Sequence, residues 1–166
     1  MSRIPTDIGR SWNLHIKEMC PFSIAQNDRE NHCAHYVSHI MGYEFSATCK
    51  NRTFADKQQI PRGATLRVND LFNNSPRTGP LASKPANLHE CLIFVTRPFN
   101  VRAIGGGRFQ MGEHLDKHVG ILAHNFVWNY SNTGDKVVHD LPSVFEQKFR
   151  GAYGQNAVFY FGEFLR

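Results

Sequence analysis

Three residues in this chain have the types and order that acyl chemistry needs. They are Cys33, His118 and Asn129. Cys33 lies in Asn31-His32-Cys33-Ala34-His35-Tyr36-Val37-Ser38-His39-Ile40-Met41-Gly42. Ala34, Val37, Ile40 and Met41 recur at helical spacing, so the segment reads as a short helix with a buried face. Asp28 and Asn31 are candidate N-caps, and Gly42 suits the left-handed position after the last turn. Cys33 then sits where unpaired N–H groups and the positive end of the helix dipole favour thiolate over thiol. An ordinary thiol of pKa ~8.5 is only a few per cent thiolate at pH 7, and a two-unit drop makes thiolate the main form. The plainer reading is a small buried core residue, because free cysteine packs well.

A thiolate nucleophile also needs a base, and a group that orients the base. His118 opens the segment His118-Val119-Gly120-Ile121 after a glycine-rich loop. The orienting group should lie on the same sheet face. If His124-Asn125 is a two-residue turn, Ala123 opposes Phe126 and Asn129 becomes the diagonal neighbour of His118. A three-residue turn reverses the parity and offers Trp128 or Tyr130 instead.

Other residues have types and spacings that bear on metal or phosphate chemistry. His35 and His39 stand four apart on the predicted helix, a spacing that can grip a metal, but Tyr36 stands where a metalloprotease needs glutamate. His114 and His118 repeat the spacing in a predicted loop. No lysine and serine or threonine follow Gly105-Gly106-Gly107, so a hinge or lid suits that run better than a phosphate loop. The four cysteines, Cys20, Cys33, Cys49 and Cys91, include no CxxC pair, which argues against a thiolate zinc knuckle. A Cys20–Cys49 disulfide is compatible with the sequence but not deducible from it. No metal and no cofactor are expected.

The elements that must hold these residues follow from pattern. A short helix is expected around Trp12 to Met19, and Thr65 could cap another through Phe72. Residues 73–87 and 97–116 read as loops. Cys91-Leu92-Ile93-Phe94-Val95-Thr96 reads as a buried strand, followed by strands at Val119 to Ala123, Phe126 to Ser131, Lys136 to His139 and Ala157 to Phe161. Ser143-Val144-Phe145-Glu146 has the form of a capping box, which starts a helix ending near Gly151. Helices followed by an antiparallel meander predict an α+β fold.

The 166 residues suffice for one core, so a single domain over residues 1–166 is expected. The formal charge of +5 points to an anionic partner, but the basic residues are scattered and no nucleic-acid module is visible. No apolar run approaches a membrane span, and the first residues lack the apolar segment of a signal peptide. The expected location is the cytosol, or outside it by a route needing no such signal.

The order cysteine, histidine, polar residue resembles the NlpC family of cysteine peptidases, cell-wall hydrolases with a papain-like core. Asn31 to Ser38 resembles the family's nucleophile helix. Cys91 to Val95 resembles its first core strand. His118-Val119-Gly120-Ile121 with Val127-Trp128-Asn129-Tyr130-Ser131 resembles its histidine hairpin. His32 and His35 stand where the family usually has acidic and small residues, and His89-Glu90 replaces its usual Gly-Asp. Both departures bear on substrate choice more than on the catalytic core.

The resemblance implies hydrolysis of amide bonds in peptidoglycan peptides, with the nucleophile helix packed on the sheet. Cys33 would attack, His118 would move the proton and Asn129 would orient His118. The Cys33 N–H would help hold the oxyanion, with Gln26 or Asn27 as second donor. Trp128 belongs to the core or lines the cleft. A small basic hydrolase without a leader also resembles the amidase effectors of type VI secretion, which adds an immunity protein as partner. A monomer is expected. Two other readings stand beside this one: a papain-like hydrolase, deamidase or acyltransferase acting on proteins or lipids, and a basic binding module without catalysis.

Overall fold

The computed structural model describes Ile4, residues 7–51 and residues 63–166. It is α+β, with three α-helices among the described residues and one antiparallel six-stranded sheet. The helices are α1 (Cys33–Met41), α2 (Val68–Asn74) and α3 (Pro142–Tyr153). The strands are β1 (Thr78–Pro80), β2 (Cys91–Thr96), β3 (Val101–Gly105), β4 (Arg108–Met111), β5 (Lys117–Ala123), β6 (Phe126–Ser131), β7 (Lys136–Asp140) and β8 (Val158–Gly162). The large sheet has the order β1-β8-β2-β5-β6-β7, and β3 and β4 form a separate ribbon. No helix among the described residues is long and apolar enough to cross a membrane.

The chain divides into two compact units. The first comprises Met1–Arg67 with Asn129–Val138, and the second comprises Val68–Trp128 with His139–Arg166.

In the first unit, α1 is buried from Cys33 to Ser38, on all sides of its first turns. It ends as the sequence requires, with Gly42 at φ 72° in the left-handed region. The expected helix at Trp12 to Met19 is replaced by short 3-10 turns at Ile8–Ser11 and Ile16–Glu18. The reciprocal cap between His15 and Glu18 fixes the second turn: the His15 N–H donates to Glu18 Oε2 at 2.7 Å, and His15 Nδ1 accepts from the Lys17 N–H at 3.0 Å. Thr65 caps no helix. It bridges Thr48, and its Oγ1 both donates to the Phe45 carbonyl and accepts the Phe45 N–H. The Tyr130 hydroxyl accepts the Ile16 N–H at 3.3 Å.

In the second unit, all six residues of β2 are buried, as the continuous apolar run demands for a strand flanked on both edges. β5 pairs with β2 on one side, with Val95 opposite His118. β8, the last strand in the sequence, pairs on the other side and separates β2 from β1. Cys91, Ile93 and Val95 pack with Val127, Phe145, Phe159 and Phe161 in one core cluster. Leu92 opposes Gly162, where a Cβ would come within 2.7 Å of the Phe94 ring, so this position needs glycine.

His124 and Asn125 form the two-residue turn, with φ of 51° and 67°. Both values are positive, as a type I′ hairpin turn requires. The ladder then pairs Ala123 with Phe126, Leu122 with Val127 and Ile121 with Trp128.

Three loop and cap expectations are corrected. The segment 97–116 carries the β3–β4 ribbon, in which Gly105, Gly106 and Gly107 adopt φ of 92°, 61° and 70° to turn the hairpin. The segment 73–87 contains β1 and a 3-10 turn at Leu81–Ser83. α3 starts without a capping box, because Pro142 occupies its first position with a pre-set φ. Glu146 instead lies 3.7 Å from Arg150, one turn further along.

Candidate functional site

Cys33 is the first residue of α1 and is 1% exposed. The residue before it, His32, is the N-cap, but its side chain makes no capping bond. The role passes to two asparagines. Asn31 Oδ1 accepts the Cys33 N–H at 3.0 Å. Asn132, after β6, accepts the His32 N–H on Oδ1 at 2.9 Å and donates from Nδ2 to Asn31 Oδ1 at 3.0 Å. One carboxamide from a distant part of the chain thus fixes both the backbone and the side chain that start α1. Asp28, the other expected cap, bonds His15 Nε2 at 2.8 Å instead.

Of the expected oxyanion donors, the backbone one already has a partner, and the two side-chain ones are placed just before α1. The Cys33 N–H is taken by Asn31. Asn27 accepts the Arg29 N–H on its side chain and a bond from His32 Nε2 on its carbonyl. Gln26 ends the 3-10 turn Ser23–Gln26 and is exposed.

Asn129 lies in the first unit on β6 and is 3% exposed. His118 lies in the second unit as the second residue of β5, near the start of the strand. It is 2% exposed, and its ring stacks on Phe149 with centroids 4.4 Å apart. Phe145 lies 6.0 Å away. Trp128, also in the second unit, is 8% exposed with its ring 4.9 Å from His139. Its Nε1 has no hydrogen-bond partner among the described residues.

A second constellation lies wholly within the first unit. Cys20, His35, His39 and Cys49 each offer one ligand atom, and these atoms all lie within 4.8 Å of one another. His35 and His39 are one turn apart on α1 with their Nε2 atoms 3.1 Å apart. The sulfurs come from loops before and after the helix, and all four cysteines are free thiols. The sequence offered the His35–His39 spacing and lacked a CxxC pair. The fold supplies the two thiols from separate segments, which no local motif announces.

The chemistry around this cluster is coupled. Cys20 is pulled down to about 7, above all by its hydrogen bond with Cys49, with the Phe22 backbone and Lys50 helping against burial. Cys49 is pushed up by the same bond and by burial. Burial lowers His35 and His32, so both rings are neutral at pH 7. A weaker group, His15, Asp28 and Asp135, includes an exposed carboxylate of a kind common without any ion.

Compared with known proteins, the chain matches no family model, no curated protein and no solved structure. The likeness to the NlpC family therefore rests on the three motifs and their order.

Proposed function

We propose that this chain is a papain-like cysteine amidase acting on amide bonds of peptidoglycan peptides, with Cys33 as nucleophile, His118 as base and Asn129 as the group that orients His118. The observation that carries the reading is the β5–β6 register. The two-residue turn at His124-Asn125 gives the parity that the choice of Asn129 over Trp128 or Tyr130 depends on. The anchored start of α1 adds support, since a nucleophile gains from a fixed backbone at a helix N-terminus.

In this mechanism His118 takes the Cys33 proton as sulfur attacks the carbonyl carbon, and returns it to the leaving amine. Water then cleaves the thioester, freeing the acid and restoring the thiol. The Cys33 N–H must leave Asn31 Oδ1 before it can donate to the oxyanion. Gln26 and the Asn27 side-chain amide are the candidates for the second donor. Action on a wall would place the enzyme in a periplasm, as a type VI effector with an immunity partner.

A non-catalytic reading is favoured by one observation, the near-complete cover over Cys33. Two measurements decide. Purified peptidoglycan is digested with wild type and with Cys33→Ala, and the fragments are read by mass spectrometry. Iodoacetamide labelling of Cys33 is followed in wild type and in His118→Ala. New amine and carboxylate ends made only by wild type, with Cys33 reactivity that falls in His118→Ala, support the amidase. Untouched wall with a modified protein or lipid substrate moves the activity to that class, and an inert Cys33 leaves only a basic binding module.

A further inference from the structure

We propose that Cys20, His35, His39 and Cys49 form a structural zinc site that ties α1 to the loops on either side of it. A tetrahedral zinc with Zn–S of about 2.3 Å and Zn–N of about 2.0 Å needs donor atoms roughly 3.3–3.8 Å apart. The four ligand atoms here already lie within 4.8 Å of one another, and the two imidazole nitrogens are 3.1 Å apart. Small side-chain adjustments bring all four to ideal separation. Two thiolates and two neutral imidazoles are the soft donor set that selects zinc, and every coordination position is filled by protein.

The hydrogen bonds already set one ligand for this role. His32 Nε2 lies 2.9 Å from the Asn27 carbonyl, which only accepts, so the His32 proton is on Nε2. His32 Nδ1 is then a lone pair, and it faces His35 Nδ1 at 3.3 Å. His35 must donate from Nδ1, which leaves its Nε2 lone pair directed at the cluster. A carbonyl–histidine–histidine chain of this kind is the outer-shell support a metal-bound imidazole uses.

The charges balance as well. Zn²⁺ displaces one proton from each thiol to solvent, and the filled site is neutral overall, which suits buried Cys20, His35 and Cys49. Gly63 leaves space for the sulfur: a Cβ there would come within 2.9 Å of Cys49 Sγ. A disulfide between Cys20 and Cys49 would give the facing histidines no task.

The site does not depend on catalysis by Cys33, although Cys33 stands only two residues before His35. The full chain, made without a histidine tag in zinc-containing medium, is assayed for metal by mass spectrometry. Its metal-free form is then titrated with Co²⁺. The expected result is one zinc per chain, and a Co²⁺ spectrum with tetrahedral d–d bands and thiolate charge transfer. Cys49→Ser should lose the charge transfer in part or fail to hold metal, and Cys91→Ser should keep one equivalent. His32→Ala should weaken zinc by about 10–100-fold in competition with a chelator. The wild-type Co²⁺ spectrum reports the ligands even if a variant does not fold. A metal-free protein that binds Co²⁺ without thiolate charge transfer overturns the proposal. So does a Cys20–Cys49 disulfide in freshly alkylated protein.

Discussion

Asn132 Oδ1 accepts the backbone N–H of His32 at 2.9 Å, although the two residues are 100 positions apart in sequence. The N-terminus of α1 is therefore held by a tertiary contact, not by a local cap. Asn132→Ala leaves two donors or acceptors without this partner and should cost about 1–2 kcal/mol in urea unfolding. Alkylation of Cys33 should change rate in the same variant. Asn132→Asp keeps the acceptor for His32 and should recover part of the stability.

Cys91 should be inert in the folded protein. Burial pushes its thiol up to about 12, so it stays protonated at pH 8. Alkylation with peptide mapping should find Cys91 unmodified in buffer and modified in urea.

Alkaline stability follows from Cys91 together with Tyr130, which burial also pushes up to about 12. Both groups hold their protons more tightly folded than unfolded. Their ordinary values are 9.0 and 10.0, so above about pH 9 the unfolded chain gives up protons first. Their contribution is complete below that pH and is lost as pH rises to about 12. Denaturant midpoints measured from pH 8 upward should fall through this window. In Tyr130→Phe the fall should be smaller.

Phe145 anchors the core of the second unit and lies within 6.4 Å of Phe159 and 4.8 Å of Phe149, between ring centroids. Phe145→Ala should destabilise by about 3–5 kcal/mol with an unchanged dependence on denaturant. Urea unfolding followed by circular dichroism checks both quantities.

Gly63→Ala tests the packing beside Cys49. The new methyl would come within 2.8 Å of Lys50 Cγ and within 2.9 Å of the Lys50 backbone nitrogen. Backbone must shift to admit it, at a cost of about 1–3 kcal/mol. Thermal unfolding should show the loss, and metal binding at the neighbouring cluster should weaken in the same protein.

The elements legible in the sequence were those with a strong local signal. β2 was visible because six consecutive residues are buried on both faces. The His124-Asn125 turn was visible because asparagine tolerates positive φ and the flanking strands are apolar. The β3–β4 ribbon was hidden because most of it is exposed, so no alternating pattern marks it. Cys33, His118 and Asn129 stood out by type and order. The Cys20 and Cys49 thiols could not be joined to His35 and His39, because the three segments meet only through tertiary folding. Asn132 carried no signal for the same reason.

β7 is the terminal strand of the large sheet. Asn13 donates its N–H to the Val137 carbonyl at 2.9 Å, and the Val137 N–H donates to Leu14 at the same distance. Part of the rim of the sheet is thus zipped shut by the chain's own early residues. Without them, Val137 would offer open backbone groups to any extended peptide, including another molecule of the same protein. Removing residues through Leu14 should therefore favour self-association into sheet-rich aggregates.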